Sequence, residues 1–116
     1  MTIAMRARVI ALNASQAKAF CLRLWLELTI AGRGIWRDDA LDAPSQANAL
    51  KWLNEIQHRV WGAHAASRAN ALPNLLDKIV SCCAQAPVLQ AHVRVALEGA
   101  LSAACGADVI VREHDA

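Results

Sequence analysis

The feature that most constrains the fold is an apolar stretch at residues 19–31, which reads AFCLRLWLELTIA. Only Arg23, Glu27 and Thr29 interrupt it. Its alanine and leucine content predicts a helix, and a helix that is apolar on nearly every side is either enclosed by its own fold or shared with a partner. The fold therefore depends on which other segments of the chain, or which partner, cover the two sides of this helix.

The composition indicates a single all-α domain. The length of 116 residues is typical of one domain that buries a core of its own. Hydrophobic residues make up 56% of the chain, with alanine the commonest, whereas tyrosine is absent and there is one phenylalanine. Alanine favours helices, and the aromatic and β-branched residues that favour strands are few or scattered.

Charge and cysteine content restrict the class of protein. The net charge is only +2 and the basic residues are interspersed with acidic ones, which argues against binding of nucleic acid. Cys21, Cys82, Cys83 and Cys105 are interpreted as free thiols, because there is no secretory signal and Cys82 and Cys83 are neighbours on a predicted helix. No segment reaches the ~20 apolar residues of a membrane span. We expect a cytoplasmic protein of bacterial type that does not enter the membrane.

The positions of capping residues and prolines predict four helices, over residues 13–34, 43–66, 73–85 and 87–105. Asn13 and Gln16 have the layout of a capping box at the first of them. Pro44, Pro73 and Pro87 lie in the first turn of the other three, where proline is tolerated. Amphipathic helices joined by short links favour a four-helix bundle.

The two ends of the chain are expected to be short extended or irregular segments, and for residues 6–12 a first turn of helix is the open alternative. Gly106 follows the last predicted helix, at the place where a C-cap glycine ends many helices. The β-branched triplet at 109–111 and the stretch RVIA at 8–11 have some strand character, so the two segments are candidates for pairing.

The first predicted helix carries two apolar rows. On a helical wheel Phe20 and Leu24 belong to a row that runs from Ala17 to Ile35 and faces the bundle core. The opposite row consists of Leu22, Leu26 and Ile30. Because four helices enclose one core, this second row indicates an interface, and a homodimer or higher oligomer is predicted. The alternative is a central helix that the other helices and the termini cover on all sides.

Tryptophan is unusually frequent, with four residues against one phenylalanine. Trp25 and Trp36 lie beside the apolar face of the first predicted helix, and Trp52 and Trp61 flank that of the second. They are predicted to seal the groove between the two helices, with His64 close by. The alternative is an aromatic pocket, or a patch that binds a protein partner.

A metal centre was considered for Glu27 with the pair Glu55 and His58, since diiron bundles combine a Glu on one helix with Glu-x-x-His on another. Glu55 lies opposite the apolar face of its helix, which places it in solvent. A second candidate set also lacks the spacing of zinc ligands, namely Cys82, Cys83, His92 and Cys105. No metal and no cofactor are predicted.

The segment LNEIQHRV at 53–60 resembles the phosphoacceptor helix of HWE-type sensor histidine kinases, in which a His–Arg pair follows a Glu. The resemblance implies that His58 is an exposed phosphoacceptor. Those kinases continue differently after this pair and carry an ATP-binding domain, for which this chain is too short. A separate phosphotransfer bundle therefore remains one alternative, and solvated local ion pairs on the helix surface are the other.

Two longer segments, LWLELTIAGRGIWRDD and LKWLNEIQHRV, resemble small uncharacterised bacterial proteins of mobile elements such as integron cassettes. That resemblance implies no activity. Catalytic motifs such as a nucleophile elbow or a glycine-rich phosphate loop are absent. The sequence favours a non-enzymatic, oligomeric helical protein that works through protein–protein interaction. The alternative is a bundle that binds a small molecule or transfers phosphate at His58 or His64.

Overall fold

The computed structural model describes the backbone of residues 1–66 and 69–115, and the side chains of residues 1–66 and 70–106. These residues form α-helices without any strand, which confirms the all-α fold. The helices are α1 (Ile3–Ile10), α2 (Ala14–Trp36), α3 (Ala43–Ala66), α4 (Leu72–Gln85) and α5 (Leu89–Asp115), and a short 3-10 turn at Ala69–Ala71 precedes α4. Within the described part, none of these helices combines the length and apolarity needed to cross a bilayer.

The start of α2 is fixed by the predicted capping box. The backbone N–H of Gln16 donates to Asn13 Oδ1 at 2.8 Å, and the backbone N–H of Asn13 donates to Gln16 Oε1 at 3.0 Å. Two backbone donors that have no partner within the helix are satisfied in this way. At α3 the carboxylate of Asp42 accepts from the backbone N–H of Ser45 at 2.7 Å, and this hydrogen bond lowers the pKa of Asp42.

The sequence favoured an end of α2 among residues 32–34 and left open a continuation through Ile35 and Trp36, and the structure has that continuation. The helix continues through Gly32 and Gly34 to Trp36, and Ile35 is fully buried. Gln46 Nε2 donates to the backbone carbonyl of Ile35 at 3.1 Å and to that of Trp36 at 2.7 Å. Burial of Ile35 and satisfaction of these terminal carbonyls outweigh the cost of about 1 kcal/mol for a glycine inside a helix.

The helices are arranged around α2, which lies between α3 and α5 and packs along both of them. The helix α4 packs mainly against α3, and α1 contacts α4. Although α4 and α5 follow each other in the chain, they make little contact. The bundle is therefore tightly packed along three of its edges and loosely packed along the edge between α4 and α5.

The core contains apolar side chains from all five helices. The predicted inner row of α2 is confirmed, since Phe20, Leu24 and Leu28 have no solvent exposure. The other large side chains that are fully buried are Val9, Ile35, Ile56, Val60, Leu72, Leu76, Ile79, Leu89 and Leu97. Each of these contributes about 1.5–3 kcal/mol relative to an exposed side chain. The described part of the core contains no buried polar or charged residue.

Both ends of the chain differ from the extended or irregular segments that the sequence predicted, because both are helical. At α1, Thr2 Oγ1 accepts from the backbone N–H of Met5 at 3.1 Å, and Val9 and Leu12 are buried in the core. At the other end, α5 passes Gly106 and continues to Asp115. An existing helix gains one hydrogen bond with each added residue, which here outweighs the weak strand preference of a β-branched triplet.

Candidate functional site: the face formed by α2 and α3

The outer row of α2, formed by Leu22, Leu26 and Ile30, is exposed in the monomer. The exposed fractions are 47%, 45% and 62%. The three residues are spaced four apart and span about 12 Å along the helix axis. α2 is therefore not enclosed on all sides, and the alternative of a fully covered central helix is wrong for this part of the chain.

A groove between α2 and α3 runs beside this row. Its volume is about 540 Å³. The lining from α2 consists of Leu22, Trp25 and Leu26, and the lining from α3 consists of Asn54, Gln57, His58 and Trp61. Two residues of the exposed row thus also form one side of the groove. The row and the groove make one continuous face, which we call the α2/α3 face.

An aromatic cluster lies at one end of this face. The ring centroids of Trp25 and Trp61 are 6.1 Å apart at an interplanar angle of 55°. The ring of Trp61 also stacks on His64, at 5.4 Å and 21°. Trp25 is half-buried against the core, whereas Trp61 remains 53% exposed. Trp25 therefore lines the groove while packing against the core, and Trp61 presents a large apolar surface to solvent.

A polar bridge links α2 to α3 beside the groove. Gln57 Nε2 donates to Thr29 Oγ1 at 2.9 Å, and the hydroxyl of Thr29 donates to the backbone carbonyl of Trp25 at 3.0 Å. Gln57 and Asn54 line both the groove and a second cavity of about 390 Å³ farther along α2. The bridge fixes the spacing of α2 and α3 beneath the exposed row. The sequence did not predict this hydrogen-bonded bridge, although Gln57 lies next to the buried Ile56, at the edge of an apolar face.

The other tryptophans that were predicted to seal the groove lie outside it. Trp36 is exposed and lines the second cavity, at the far end of the α2/α3 face. Trp52 lines neither cavity. It is half-buried against the core, and Lys51 Nζ lies 5.3 Å from the centroid of its ring. The structure therefore unites Trp25, Trp61 and His64 and places the other two tryptophans elsewhere.

The side chains considered for metal binding point in different directions. Glu27 accepts from Arg23 Nε at 2.8 Å, and its carboxylate lies beside Gly99 of α5. Glu55 accepts from Arg59 Nε at 3.1 Å on α3. His58 is exposed at the groove, as a phosphoacceptor would have to be. Among the described residues, no three His, Cys, Asp or Glu side chains are grouped to hold a metal ion.

The cysteines lie outside the α2/α3 face, and all four thiols are free. Burial raises the pKa of both Cys21 and Cys83 to about 11. The pKa of Cys82 is also raised, mainly by burial and to a smaller extent by the Glu55 carboxylate. These three thiols are protonated at neutral pH, and the thiol is a far weaker nucleophile than the thiolate. Cys105 is half-buried.

Comparison of the chain with models of known protein families, with curated proteins and with solved structures gives no match. The feature of the chain that bears on function is the geometry of the α2/α3 face. That geometry combines an exposed apolar row, an adjoining groove and a half-exposed tryptophan, which are properties of surfaces that bind macromolecules.

Proposed function

We propose that this protein is a non-enzymatic binding protein that acts as a homodimer, and that the two copies meet through their α2/α3 faces. The observation that carries the proposal is the exposed row Leu22, Leu26 and Ile30 beside the half-exposed Trp61. Monomeric proteins rarely expose contiguous apolar patches of this kind. Burial of these side chains against a second copy removes them from water and supplies the free energy of association.

The order of residues along α2 favours an antiparallel arrangement of the two copies of this helix. With a two-fold axis at Leu26, Leu22 lies opposite the partner's Ile30, and Leu26 lies opposite itself. Arg33 follows Leu26 by seven residues and shares its face, while Ala19 precedes Leu26 by the same number. An antiparallel pair places Arg33 against the partner's Ala19, whereas a parallel pair places the two Arg33 cations together.

The groove supports the same arrangement. Leu22 forms part of the groove lining, so a partner's Ile30 placed opposite Leu22 lies at the groove entrance and close to Trp61. Tryptophans at the edge of such pockets are frequent binding hot spots. The polar residues Asn54 and His58 then border the contact, which matches the usual anatomy of an apolar centre with a polar rim.

A second copy of the chain is preferred over another partner because the row is symmetrical about its centre. A branched aliphatic residue stands four positions before Leu26 and another four positions after it. An isologous interface requires a surface that is complementary to itself under a two-fold rotation, and two-fold dimers are by far the commonest oligomers.

The test is sedimentation equilibrium of the Ile30→Glu variant, with Ile3→Glu as the matched control. Both positions are exposed in the monomer, at 62% and 90%, so neither change disturbs the core. Glutamate at position 30 buries a charge in the contact and is expected to weaken the dimer at least tenfold. Ile3→Glu is expected to leave it unchanged. A parent chain that stays monomeric at high concentration, or equal behaviour of the two variants, contradicts the proposal.

Cysteine cross-linking tests the orientation. In the antiparallel arrangement Leu26→Cys forms an intermolecular disulfide on its own, because the residue lies on the two-fold axis. Leu22→Cys alone forms none, but a mixture of Leu22→Cys and Ile30→Cys chains does. Cross-linking of Leu22→Cys alone contradicts the antiparallel arrangement and supports the parallel one.

We place the protein in the cytoplasm as part of the same proposal. Support comes from its four free thiols, of which three are buried. Small domains in oxidising compartments usually pair their cysteines. Thiol trapping in intact cells followed by mass spectrometry is expected to find all four residues as thiols. A disulfide in the trapped protein contradicts this location.

A second candidate function is binding of a small molecule in the α2/α3 groove, favoured by a volume within the range of ligand pockets and by the stacked pair Trp61 and His64. His58→Ala distinguishes it from dimerisation. Loss of a ligand-dependent change in tryptophan fluorescence, with the helical circular dichroism and the sedimentation of the chain unchanged, supports ligand binding. Loss of the dimer alone supports the homodimer.

A further inference from the structure

The loosely packed edge of the bundle contains a cleft of about 750 Å³ between α4 and α5. It exists because α4 packs mainly on α3 and α5 mainly on α2, so the two helices diverge after their shared loop. The helix α1 lies across one end and contributes Thr2 and Met5 to the lining. An ion pair between Arg6 and Asp77, at 2.9 Å, holds α1 to α4.

The interior of this cleft is apolar. Ile79 on α4 and Val93 and Leu97 on α5 are buried, and all three contribute to the lining. The lining of α5 extends from Gln90 to Glu98, a length of about 12 Å at the rise of an α-helix. The volume is within the range of small-molecule sites, which are mostly apolar with a few polar groups that orient the ligand. A flexible hydrocarbon chain suits a long, narrow space of this kind.

Two cationic groups line the cleft: the exposed Arg94 in the middle of the α5 lining, and the amino terminus at Met1, which acts electrostatically on Cys83. Glu98 is one turn away from Arg94, towards α1, where it shares a second cavity of about 380 Å³ with Arg8. Arg94 is the cationic side chain of the lining, and a guanidinium pairs with a carboxylate through two parallel hydrogen bonds.

We propose that the cleft between α4 and α5 binds a medium-chain carboxylate. Its hydrocarbon chain packs against Ile79, Val93 and Leu97, and its carboxylate is held by Arg94. The site is independent of the proposed homodimer, because the cleft is formed by α1, α4 and α5 and the dimer contact by α2 and α3. Failure of one proposal therefore leaves the other standing.

The first test is isothermal titration of the full chain with hexanoate, octanoate and decanoate. An apolar site gains about fourfold in affinity for each added methylene until the cleft is filled. Affinity is therefore expected to rise along the series and to level off at the chain length that fills the cleft. Binding that does not saturate, or that is independent of chain length, overturns the proposal.

The second test separates the carboxylate contact from the chain contact. Arg94→Gln is expected to weaken octanoate binding about tenfold or more, because a hydrogen bond to a charged group is lost, and to leave 1-octanol binding unchanged. Lys51→Gln, on α3 and away from the cleft, is the control for a lost surface cation. Equal weakening by the two variants, or equal weakening for octanoate and 1-octanol, overturns the role of Arg94.

Cys83 supplies a direct reporter of occupancy, since it lines the cleft while Cys21 does not. Saturating octanoate is expected to slow alkylation of Cys83 at least tenfold, as followed by peptide mass spectrometry, and to leave Cys21 unaffected. Octanoate that leaves the alkylation rate of Cys83 unchanged contradicts binding in the cleft. The Ile30→Glu chain is expected to give the same protection as the parent chain.

Discussion

The two apolar rows of α2 have almost the same composition and opposite environments. In the inner row, Leu24 and Leu28 have no exposure, whereas in the outer row Leu22 and Leu26 remain nearly half exposed. The inner row meets α3 and α5, which flank α2 on its core side. Leucines at helical spacing therefore indicate that a helix face prefers to be buried. Whether the monomer buries that face depends on where the neighbouring helices pack.

The sharpest way to test this comparison is to truncate one leucine in each row. Leu24→Ala is expected to lower the free energy of unfolding by about 3 kcal/mol, because it leaves a cavity in a closed core. Leu26→Ala is expected to change it by less than about 1 kcal/mol. Urea unfolding of both variants in the Ile30→Glu background measures the monomer alone. Losses of similar size would show that the outer row is buried within the monomer.

A substitution at the start of α2 tests how much the capping box stabilises the helix that carries both rows. Asn13→Ala removes the side-chain acceptor of the capping box and is expected to lower the free energy of unfolding by about 1 kcal/mol. Ser15→Ala, two residues later and exposed, is the control and is expected to change it by less than about 0.5 kcal/mol. If the two variants have equal stability in thermal or urea unfolding, the capping box contributes nothing measurable.

The two glycines of α2 test the difference between its packed side and its open side, with a smaller expected effect. A Cβ at Gly34 meets nothing within 4 Å, so Gly34→Ala is expected to raise the free energy of unfolding by about 0.5–1 kcal/mol through helix propensity. A Cβ at Gly32 would lie 3.1 Å from Leu53 Cδ2. Gly32→Ala gains the same propensity but has to displace a buried side chain. Urea unfolding is expected to show Gly34→Ala as the more stable variant, and the reverse order would contradict the packing of α2 on α3.

The smallest effect is expected at the ion pair on the flank of α2. Glu27→Gln removes its attraction to Arg23 and is expected to lower the free energy of unfolding by about 0.3–0.5 kcal/mol. The loss is expected to shrink in high salt, because exposed charges are screened. A loss above 1 kcal/mol that persists in high salt would show that Glu27 acts through its packing beside Gly99 of α5.

Much of the fold was predictable because local signals and the apolar pattern agree. The structure confirms the capping box at Asn13, Pro44 and Pro73 in the first turns of α3 and α4, and the core row through Phe20. Pro87 instead lies in the turn before α5, which begins at Leu89. The ends of the chain were not predictable from local signals. Strand preference is weak and depends on a partner strand, and neither end has one among the described residues, so helical hydrogen bonds prevail there.

The candidate site was predictable only in part. Leu22, Leu26 and Ile30 were identified from their position on the wheel, since exposure follows from periodicity once the core face is known. The bridge from Gln57 to Thr29 was not identified, because it depends on how closely α2 and α3 approach each other. The different positions of Trp52 and Trp61 also depend on how α2 and α3 approach each other. Both flank the apolar face of α3 in sequence, but only Trp61 faces α2.

The sequence by itself determined that the chain is helical and that its longest apolar helix has more apolar surface than one core requires, because residue type and period fix which faces avoid water. Only the tertiary structure decided where that surface lies. Packing of α3 and α5 on one side of α2 leaves the other side open beside a groove, and divergence of α4 from α5 opens a cleft. Both depend on distances between helices that no local pattern encodes.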